Sequence, residues 1–239
     1  MATWHRHMRV LIACEFSGVV RRAFTALGHR AWSVDLLPAD DLGQSYYPAF
    51  TDQSGHIQTD IKNVLEGLHS WFPCCPVAPW DLMIAHPPCT YLTNAGVRHL
   101  HDHVVTRTGK RTAVYGKARW EAMREGAEFF KRLLEAPIPR IAIENPIMHK
   151  YAVAIIGRRQ DQVIQPWMFG HPEQKATCLW LKNLPKLIET DNVKAQMLAL
   201  PKSEQQKMHY LPPSKDRWKL RSKTFEGIAR AMATQWGNL

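Results

Sequence analysis

The sequence predicts an α/β fold built on a doubly wound, mostly parallel sheet. Short apolar runs of strand length recur along the chain, and stretches with helical periodicity lie between them. This alternation is typical of a sheet covered by helices on both faces, with ligands at the carboxyl ends of its strands. With 239 residues, of which 45% are hydrophobic and 22% charged, the chain is suited to a single domain with a large core.

Five segments have the character of strands, namely residues 10–13, 31–34, 81–85, 140–143 and 178–181. The clearest helix is predicted over 120–135, where apolar residues recur at helical spacing opposite a charged face, and another over 221–236. Three further segments are predicted to be loops, namely the polar 38–57, the proline-rich 72–79 and the basic 93–118.

The charge balance favours a polyanionic partner. Lys and Arg total 31 against 21 Asp and Glu, which gives a formal charge of +10 and a pI near 9.5. Nucleic acid is the first candidate, and an ordinary basic surface is the alternative. No apolar run approaches the roughly 18 residues of a membrane helix, and the first residues lack the pattern of a signal peptide. We therefore expect a soluble, cytoplasmic protein with no membrane partner.

The cysteines direct attention to single thiols. Their number is odd and no export signal precedes them, so a disulfide framework is not expected for Cys14, Cys74, Cys75, Cys89 and Cys178. Cys74 and Cys75 are adjacent, which does not fit the spacing of a zinc finger. We interpret this pair as small thiols in a proline-rich loop.

Two motifs in which proline restricts the backbone follow neighbouring predicted strands. Cys89 ends the run His86-Pro87-Pro88-Cys89 after strand 81–85, and two prolines there fix the backbone and direct the thiol outward, as a nucleophile requires. Glu144, Asn145 and Pro146 follow strand 140–143 in a similar context. An acid near a thiol indicates covalent catalysis with proton transfer. Taken singly, a loop cysteine and a glutamate that caps a strand are the alternatives.

Together with Phe16-Ser17-Gly18 after the first strand, these motifs resemble the DNA (cytosine-5) methyltransferase family, in particular its small phage and prophage members. The resemblance covers about residues 10–181 and the tail. It implies a single catalytic domain over 1–239 with the Rossmann-like fold of S-adenosylmethionine-dependent methyltransferases. It also implies transfer of a methyl group from S-adenosylmethionine to C5 of cytosine in DNA, inside a bacterial host cell.

The same resemblance assigns residues to the cofactor. Phe16, Ser17 and Gly18 match a turn that lets the backbone approach S-adenosylmethionine, with Val19-Val20-Arg21 where the family has further glycines. Asp35 fits the acid that takes the ribose hydroxyls.

Further cofactor contacts come from later segments. Asp60 and Ile61 resemble an Asp-Ile element near the adenine, and Pro88 belongs to the Pro-Pro-Cys motif. Ser222 and Thr224 resemble the last motif, which returns to the cofactor site. Helix capping is the alternative for Asp60, Ser222 and Thr224.

The implied mechanism is covalent. The Cys89 thiolate adds to C6 of cytosine, Glu144 holds or protonates N3 and binds the exocyclic amine, and Asn145 sets that loop. Lys175 and Thr177 stand where the family has two arginines that contact the base and the thiolate. A lysine still lowers the pKa of a nearby thiol, but it lacks the bidentate fork. The target base must be flipped out of the duplex or already single-stranded.

The basic segment after Cys89 is predicted to close over double- or single-stranded DNA. Its phosphate-binding candidates are Arg98, Arg107, Lys110, Arg111, Lys117 and Arg119. Only about residues 182–220 are available for target recognition, which is short for this family. We therefore expect a short or relaxed sequence preference, or a recognition surface supplied by a second subunit of a homo-oligomer.

Three other interpretations stay open. His99, His101, Asp102 and His103 cluster as in metallo-hydrolases, although the basic surroundings disfavour a dication. The second interpretation is a nucleic-acid-binding homologue that keeps the fold without catalysis. The third is the same chemistry on RNA or free nucleotides, or with a modified S-adenosylmethionine that donates another group.

Overall fold

The computed structural model describes residues 7–41, 55–67, 80–101 and 116–239. Seven strands form one sheet, and their bounds are β1 Arg9–Ala13, β2 Arg30–Asp35, β3 Gly55–Gln58, β4 Leu82–Ala85, β5 Arg140–Pro146, β6 Gln162–Ile164 and β7 Thr177–Lys182. Their order across the sheet is β3-β2-β1-β4-β5-β7-β6. Strands β1 to β5 are parallel, whereas β7 runs antiparallel to both β5 and β6.

The described residues also form helices α1 Val19–Ala26, α2 Ile61–Leu65, α3 Gly116–Leu134, α4 Lys150–Ile156, α5 Lys194–Ala199, α6 Lys202–Gln205, α7 Lys207–Tyr210, α8 Arg217–Ser222 and α9 Glu226–Trp236. Two short 3-10 helices lie at Asn94–Leu100 and Pro166–Met168. The chain order alternates strand and helix up to β5, after which the antiparallel pair and a run of short helices follow.

Both faces of the sheet carry a hydrophobic core. Leu11 and Ala13 of β1 pack in the core under α2, α3 and α4, whereas Val10 and Ile12 pack in the core under α1 and α9. This two-sided burial explains why the parallel strands are almost continuously apolar. The doubly wound, mostly parallel α/β fold predicted from the sequence is therefore confirmed.

The sheet order also places the site. The order of β1 to β5 is that of a dinucleotide-binding fold, in which the connections change direction between β1 and β4. Ligands of such sheets bind outside the carboxyl ends of the strands at this switch point. The segments that follow β1 and β4 carry the two earliest motifs of the sequence, residues 16–18 and 86–89.

The structure corrects three expectations about local structure. Strand β3 lies at the end of the predicted loop 38–57, and the three-residue strand β6 was not predicted at all. The helix predicted over 221–236 begins only at Glu226, because the chain is extended at Lys223 and Phe225 between α8 and α9.

Parts of all three predicted loops lie outside the described residues, namely 42–54 of the first, the whole of 72–79, and 102–115 of the third. The described start of the basic segment is not a loop, because Asn94–Leu100 is a 3-10 helix and α3 already begins at Gly116. Across the described ranges, no helix is long and apolar enough to span a membrane.

Candidate active site

A cavity of about 610 Å³ opens at the carboxyl ends of four neighbouring strands. Four of the residues assigned to the cofactor line it, namely Asp35, Asp60, Ile61 and Pro88. Cys14 after β1 and several side chains of α3 complete the wall. The cavity thus combines apolar surfaces with a few carboxylates, a composition typical of a small-molecule site.

Two of the four acids that line this cavity, Asp35 and Asp60, are fixed by backbone contacts. Asp35 Oδ1 accepts a hydrogen bond from the Leu37 amide at 2.9 Å, and burial raises the pKa of Asp35. Asp60 Oδ1 accepts from the Lys62 amide at 2.9 Å and caps α2, which was the alternative interpretation of this residue. Asp60 therefore serves the helix and also lines the cavity.

The turn between β1 and α1 is closed by a buried glutamate. Glu15 accepts hydrogen bonds from the amides of Val20 at 2.7 Å and Arg21 at 3.2 Å. Its carboxylate therefore occupies the start of α1, where free amides attract an anion. Gly18 takes a φ of 67°, and a Cβ there would collide with the side chain of Asp41. The amides after Gly18 thus bind Glu15 in the segment where the family has further glycines.

Phe16 and Ser17 of this turn are buried rather than facing the first cavity. The Phe16 ring packs against Trp218 of α8, with ring centroids 5.9 Å apart. Cys14 also lines the cavity, but burial and the charges of Asp35 and Asp60 raise its pKa to about 12, so this thiol stays protonated.

A second cavity, of about 520 Å³, lies on the other side of the Pro-Pro-Cys motif. Cys89, Lys175 and Ser222 line it, together with Trp218 and Arg221 of α8. Pro88 and Cys89 are consecutive residues, yet they line different cavities. The thiol therefore stands at the boundary between the two spaces.

Glu144 is held by side chains on either side of it. His86 Nδ1 lies 2.8 Å from Glu144 Oε2, and the Thr224 hydroxyl donates to the same oxygen at 3.3 Å. Burial alone would raise the pKa of Glu144, but its hydrogen bond to His86 and the charges of His86 and Lys175 lower it. Glu144 is thus a carboxylate at neutral pH, although only 11% of its side chain is exposed.

Asn145 ties β5 to the loop that carries the thiol. Its side-chain amide donates to the Pro87 carbonyl at 3.0 Å, whereas its own Oδ1 is buried with no partner among the described residues. Asn145 pairs with Cys178 of β7 and is itself 1% exposed. This contact fixes the Pro-Pro-Cys loop relative to Glu144.

Cys89 is a half-buried thiol in a mixed electrostatic field. Burial raises its pKa and the charge of Glu144 adds to this rise, whereas Lys175 and Arg221 oppose it. Lys175 Nζ donates to the backbone carbonyl of Arg221 at 2.9 Å. Lys175 thus lies beside the thiol and also holds the end of α8.

The two residues assigned to the last motif lie on the side of the second cavity. Ser222 lines this cavity and donates to the Lys219 carbonyl at 2.9 Å, whereas Thr224 contacts Glu144. Neither lines the first cavity. The expected helix capping is also not observed for Thr224, since α9 begins two residues later.

The basic residues assigned to DNA have different surroundings. Arg98 and Lys117 are exposed, whereas Arg119 is 8% exposed. Its guanidinium donates to the Thr90 carbonyl at 2.8 Å and lies over the Tyr91 ring at 4.6 Å. This burial does not fit the phosphate contact expected from the sequence. Arg107, Lys110 and Arg111 lie outside the described residues.

Within the described ranges, no three candidate metal ligands group together. His99 is buried in the 3-10 helix, with Arg98 and Arg119 nearby, and these charges and its burial lower its pKa. Asp102 and His103 lie outside the described residues.

The sequence analysis gave no role to three residues of this site, namely Glu15, His86 and Trp218. His86 directly precedes the proline pair, and Glu15 follows β1, so position at a strand end was an available signal for both. Trp218 carries no such signal, because only the return of α8 brings it to Phe16 and to the second cavity.

No protein-family model and no curated protein sequence matches the chain. Among solved structures, the chain is similar to a mutant of DNMT2 from Spodoptera frugiperda, with 13% sequence identity and a TM-score of 0.36. The match covers 79% of this chain and 54% of that one, so the chain spans about half the length of that protein.

Proposed function

We propose that this protein transfers a methyl group from S-adenosylmethionine to C5 of cytosine in DNA, through a covalent bond between Cys89 and C6. The observation that carries the proposal is the position of Cys89. Its neighbour Pro88 lines the first cavity while Cys89 lines the second, so a donor and an acceptor can meet across one loop. A transferase for two separate ligands needs this arrangement.

The residues of the first cavity fit S-adenosylmethionine. Asp35 offers a carboxylate to vicinal hydroxyls, while Ile61 and Pro88 offer apolar surface to a flat base. A volume of about 610 Å³ suits a nucleoside-sized ligand. When bound, this cofactor supplies an electrophilic methyl group.

The second cavity supports the acceptor chemistry. C5 of cytosine is a weak nucleophile, and addition of the Cys89 thiolate at C6 would move electron density toward C5. Lys175 and Arg221 lower the cost of forming that thiolate, since their charges oppose the rise in its pKa. Glu144, fixed at Oε2 by His86 and Thr224, would take the N3 edge and the exocyclic amine.

Nucleic acid as the substrate is supported by charge and by the wall of the cavity. The net charge of +10 favours a polyanion, and Arg98 and Lys117 are exposed cations in the segment that follows Cys89 along the chain. Trp218 offers an aromatic face at the second cavity, to which an unstacked base can bind. A base in this cavity must have left the helical stack.

The test is nucleoside mass spectrometry after incubation of the full chain with S-adenosylmethionine and mixed-sequence DNA, double- or single-stranded. We expect 5-methylcytosine, and we expect none with Cys89→Ala. Cys178→Ala is the control, because this thiol is fully buried in the core and lines neither cavity.

Other outcomes separate the alternatives. Methylation of RNA but not of DNA would show that the substrate is RNA, and a different added mass would indicate a modified donor. Binding of DNA without any modified nucleoside, in the presence of bound cofactor, would overturn catalysis and support the nucleic-acid-binding homologue.

A further inference from the structure

His86 is a buried histidine beside the proposed acid, with one ring nitrogen engaged. Its backbone amide donates to the Ala13 carbonyl at 2.9 Å, which fixes it between β1 and β4. Its side chain is 10% exposed, Nδ1 lies 2.8 Å from Glu144 Oε2, and Nε2 is buried with no hydrogen-bond partner among the described residues. A structural histidine normally has both nitrogens satisfied.

The contrast with His149 shows what a structural histidine looks like in this protein. His149 Nδ1 accepts from the Ala152 amide at 3.2 Å and caps α4, while Nε2 contacts the Tyr91 carbonyl at 3.0 Å. Both nitrogens of His149 are therefore engaged with backbone groups. His86 instead presents its one hydrogen bond to an acid of the site.

We propose that His86 is a positioning residue for the proposed reaction, which holds Glu144 through the Nδ1–Oε2 hydrogen bond and keeps the proton that Glu144 gives to N3 of the base. This inference rests on the proposed function. Both hydrogen bonds that described side chains make to the Glu144 carboxylate end on Oε2, so Oε1 is left to accept from the exocyclic amine of the base.

In the proposed step, one proton moves from His86 to the base. The Cys89 thiolate forms the S–C6 bond, and the electron pair of the C5–C6 double bond shifts through C4 onto N3. The Glu144 carboxylate takes the proton of His86 Nδ1 at Oε2 and passes it to N3, so the imidazolium becomes a neutral imidazole. When C5 takes the methyl group, the N3–C4 double bond forms again and N3 returns its proton to the pair. The S–C6 bond breaks when a solvent base removes the C5 proton, because the C5–H electron pair then forms the C5–C6 double bond and the thiolate leaves.

The surroundings of His86 favour its protonated form before a base binds. Burial lowers the pKa of His86, but the hydrogen bond and charge of Glu144 and the charge of Glu15 outweigh burial and raise it above 6.5. Lys175 opposes this rise. Asp35 at the end of β2 also interacts with the His86 charge, and Cys89 lies three residues further along the same loop.

The protonation states of Cys89 and of the His86–Glu144 pair determine how the reaction rate depends on pH. The reaction needs Cys89 ionised and the His86–Glu144 pair protonated, so the single-turnover rate of the wild type should be bell-shaped in pH. As pH rises through the pKa of the His86–Glu144 pair, the pair loses its proton and the rate falls. A variant without the imidazole should lack this descending limb.

The experiment compares the wild type with His86→Gln and His29→Gln in single-turnover methyl transfer between pH 5 and 10. Glutamine can still donate a hydrogen bond to Glu144 but has no titratable proton. We expect His86→Gln to lose about 100-fold in rate and the descending limb, with affinity for cofactor and DNA unchanged. His29 is the control, because it is also a largely enclosed histidine but precedes β2, at the amino ends of the strands and away from Glu144.

A double variant tests whether His86 acts through Glu144. If it does, His86→Gln with Glu144→Gln should be no slower than Glu144→Gln alone. Additive losses, or a bell-shaped profile in His86→Gln, would overturn the inference and leave a purely structural role.

A second measurement does not depend on activity. Nitrogen-15 NMR of histidine-labelled protein should give His86 a pKa above 6.5 in the wild type and a lower one in Glu144→Gln. If His86 does not respond to Glu144→Gln, the inference fails even where methylation is observed. If His86 responds but no cytosine substrate is methylated, the proposed function fails and with it the role in proton transfer, although the pair itself is established.

Discussion

The first cavity is lined by segments that follow four neighbouring strands and by one helix, whereas the second cavity is closed by segments from the last third of the chain. Asp35, Asp60 and Pro88 reach the first cavity directly from their strand ends. Lys175 and Trp218 reach the second one only because the chain after β6 and β7 folds back over the sheet. The parallel sheet thus builds one ligand site by itself, and the other depends on long-range contacts.

Two contacts lead from the second region to the turn after β1 and its neighbour. Trp218 packs on Phe16, and Lys223 Nζ lies 2.8 Å from Asp40 Oδ2. Both start from the short segment around α8, whose neighbour Thr224 contacts Glu144 on the acceptor side. This difference teaches that donor binding and acceptor chemistry can be changed separately, except where α8 joins them.

The largest effect is expected at Glu144, on the acceptor side. Glu144→Gln removes the proton donor to N3, so we expect the single-turnover rate to fall about 1,000-fold. Affinity for S-adenosylmethionine should not change, because Glu144 does not line the first cavity. Calorimetric titration with the cofactor checks this separation, with exposed Glu189→Gln as the control. A parallel loss of cofactor affinity would show that the two regions are not independent.

The donor side should respond at Asp35. Asp35→Asn removes the charge offered to the ribose hydroxyls, and we expect cofactor affinity to fall about 10- to 100-fold, since hydrogen bonds to charged groups contribute roughly 1.5–3 kcal/mol. DNA affinity in the absence of cofactor should stay as in the wild type. The control is Asp216→Asn, an exposed aspartate before α8. Unchanged cofactor affinity would remove Asp35 from the donor site.

Arg119 tests whether the loop between the two regions needs support from α3. Arg119→Met leaves the Thr90 carbonyl without its donor, so we expect a loss of about 1–3 kcal/mol in the free energy of unfolding. Lys117→Met, exposed on the same helix, should be nearly neutral. Thermal and urea unfolding measure both. If Lys117→Met weakens DNA binding more than Arg119→Met does, the phosphate contact belongs to Lys117.

The smallest effect is expected where the regions join. Trp218→Ala removes the ring that packs on Phe16, and we expect the cofactor to bind about three- to tenfold more weakly, in line with the roughly 0.5–1.5 kcal/mol of an aromatic pair. Tyr210→Ala, another exposed aromatic residue of the tail, is the control. Fluorescence titration with the cofactor measures both variants. Equal affinities would mean that α8 does not couple the cavities.

The two regions also differ in how well their residues could be predicted from the sequence. Strand patterns located Asp35 and the Pro-Pro-Cys and Glu-Asn-Pro motifs at strand ends, because parallel strands have a hydrophobic pattern that ends sharply at the carboxyl edge. The roles of Ser222 and Thr224 could not be settled in this way. The hydroxyl of Thr224 contacts Glu144, which is 80 residues away along the chain, and no local pattern encodes such a contact.

Short or weakly patterned elements were not predicted from the sequence, for a related reason. Strand β6 has three residues, and β3 follows a long polar stretch, so neither offers enough alternation to be recognised. The break between α8 and α9 was hidden as well. Lys175 binds the carbonyls of Arg221 and Lys223, and this tertiary contact accompanies the extended backbone that ends α8.

The sequence by itself determined the α/β sheet, the strand ends and the pairing of a thiol with an acid on neighbouring strands, because these depend on local hydrophobic periodicity and chain order. Only the tertiary structure decided that Pro88 and Cys89 face two different cavities and that Arg119 is buried under the thiol loop. It also decided that His86 holds Glu144, since the two residues are 58 positions apart and meet only across adjacent parallel strands.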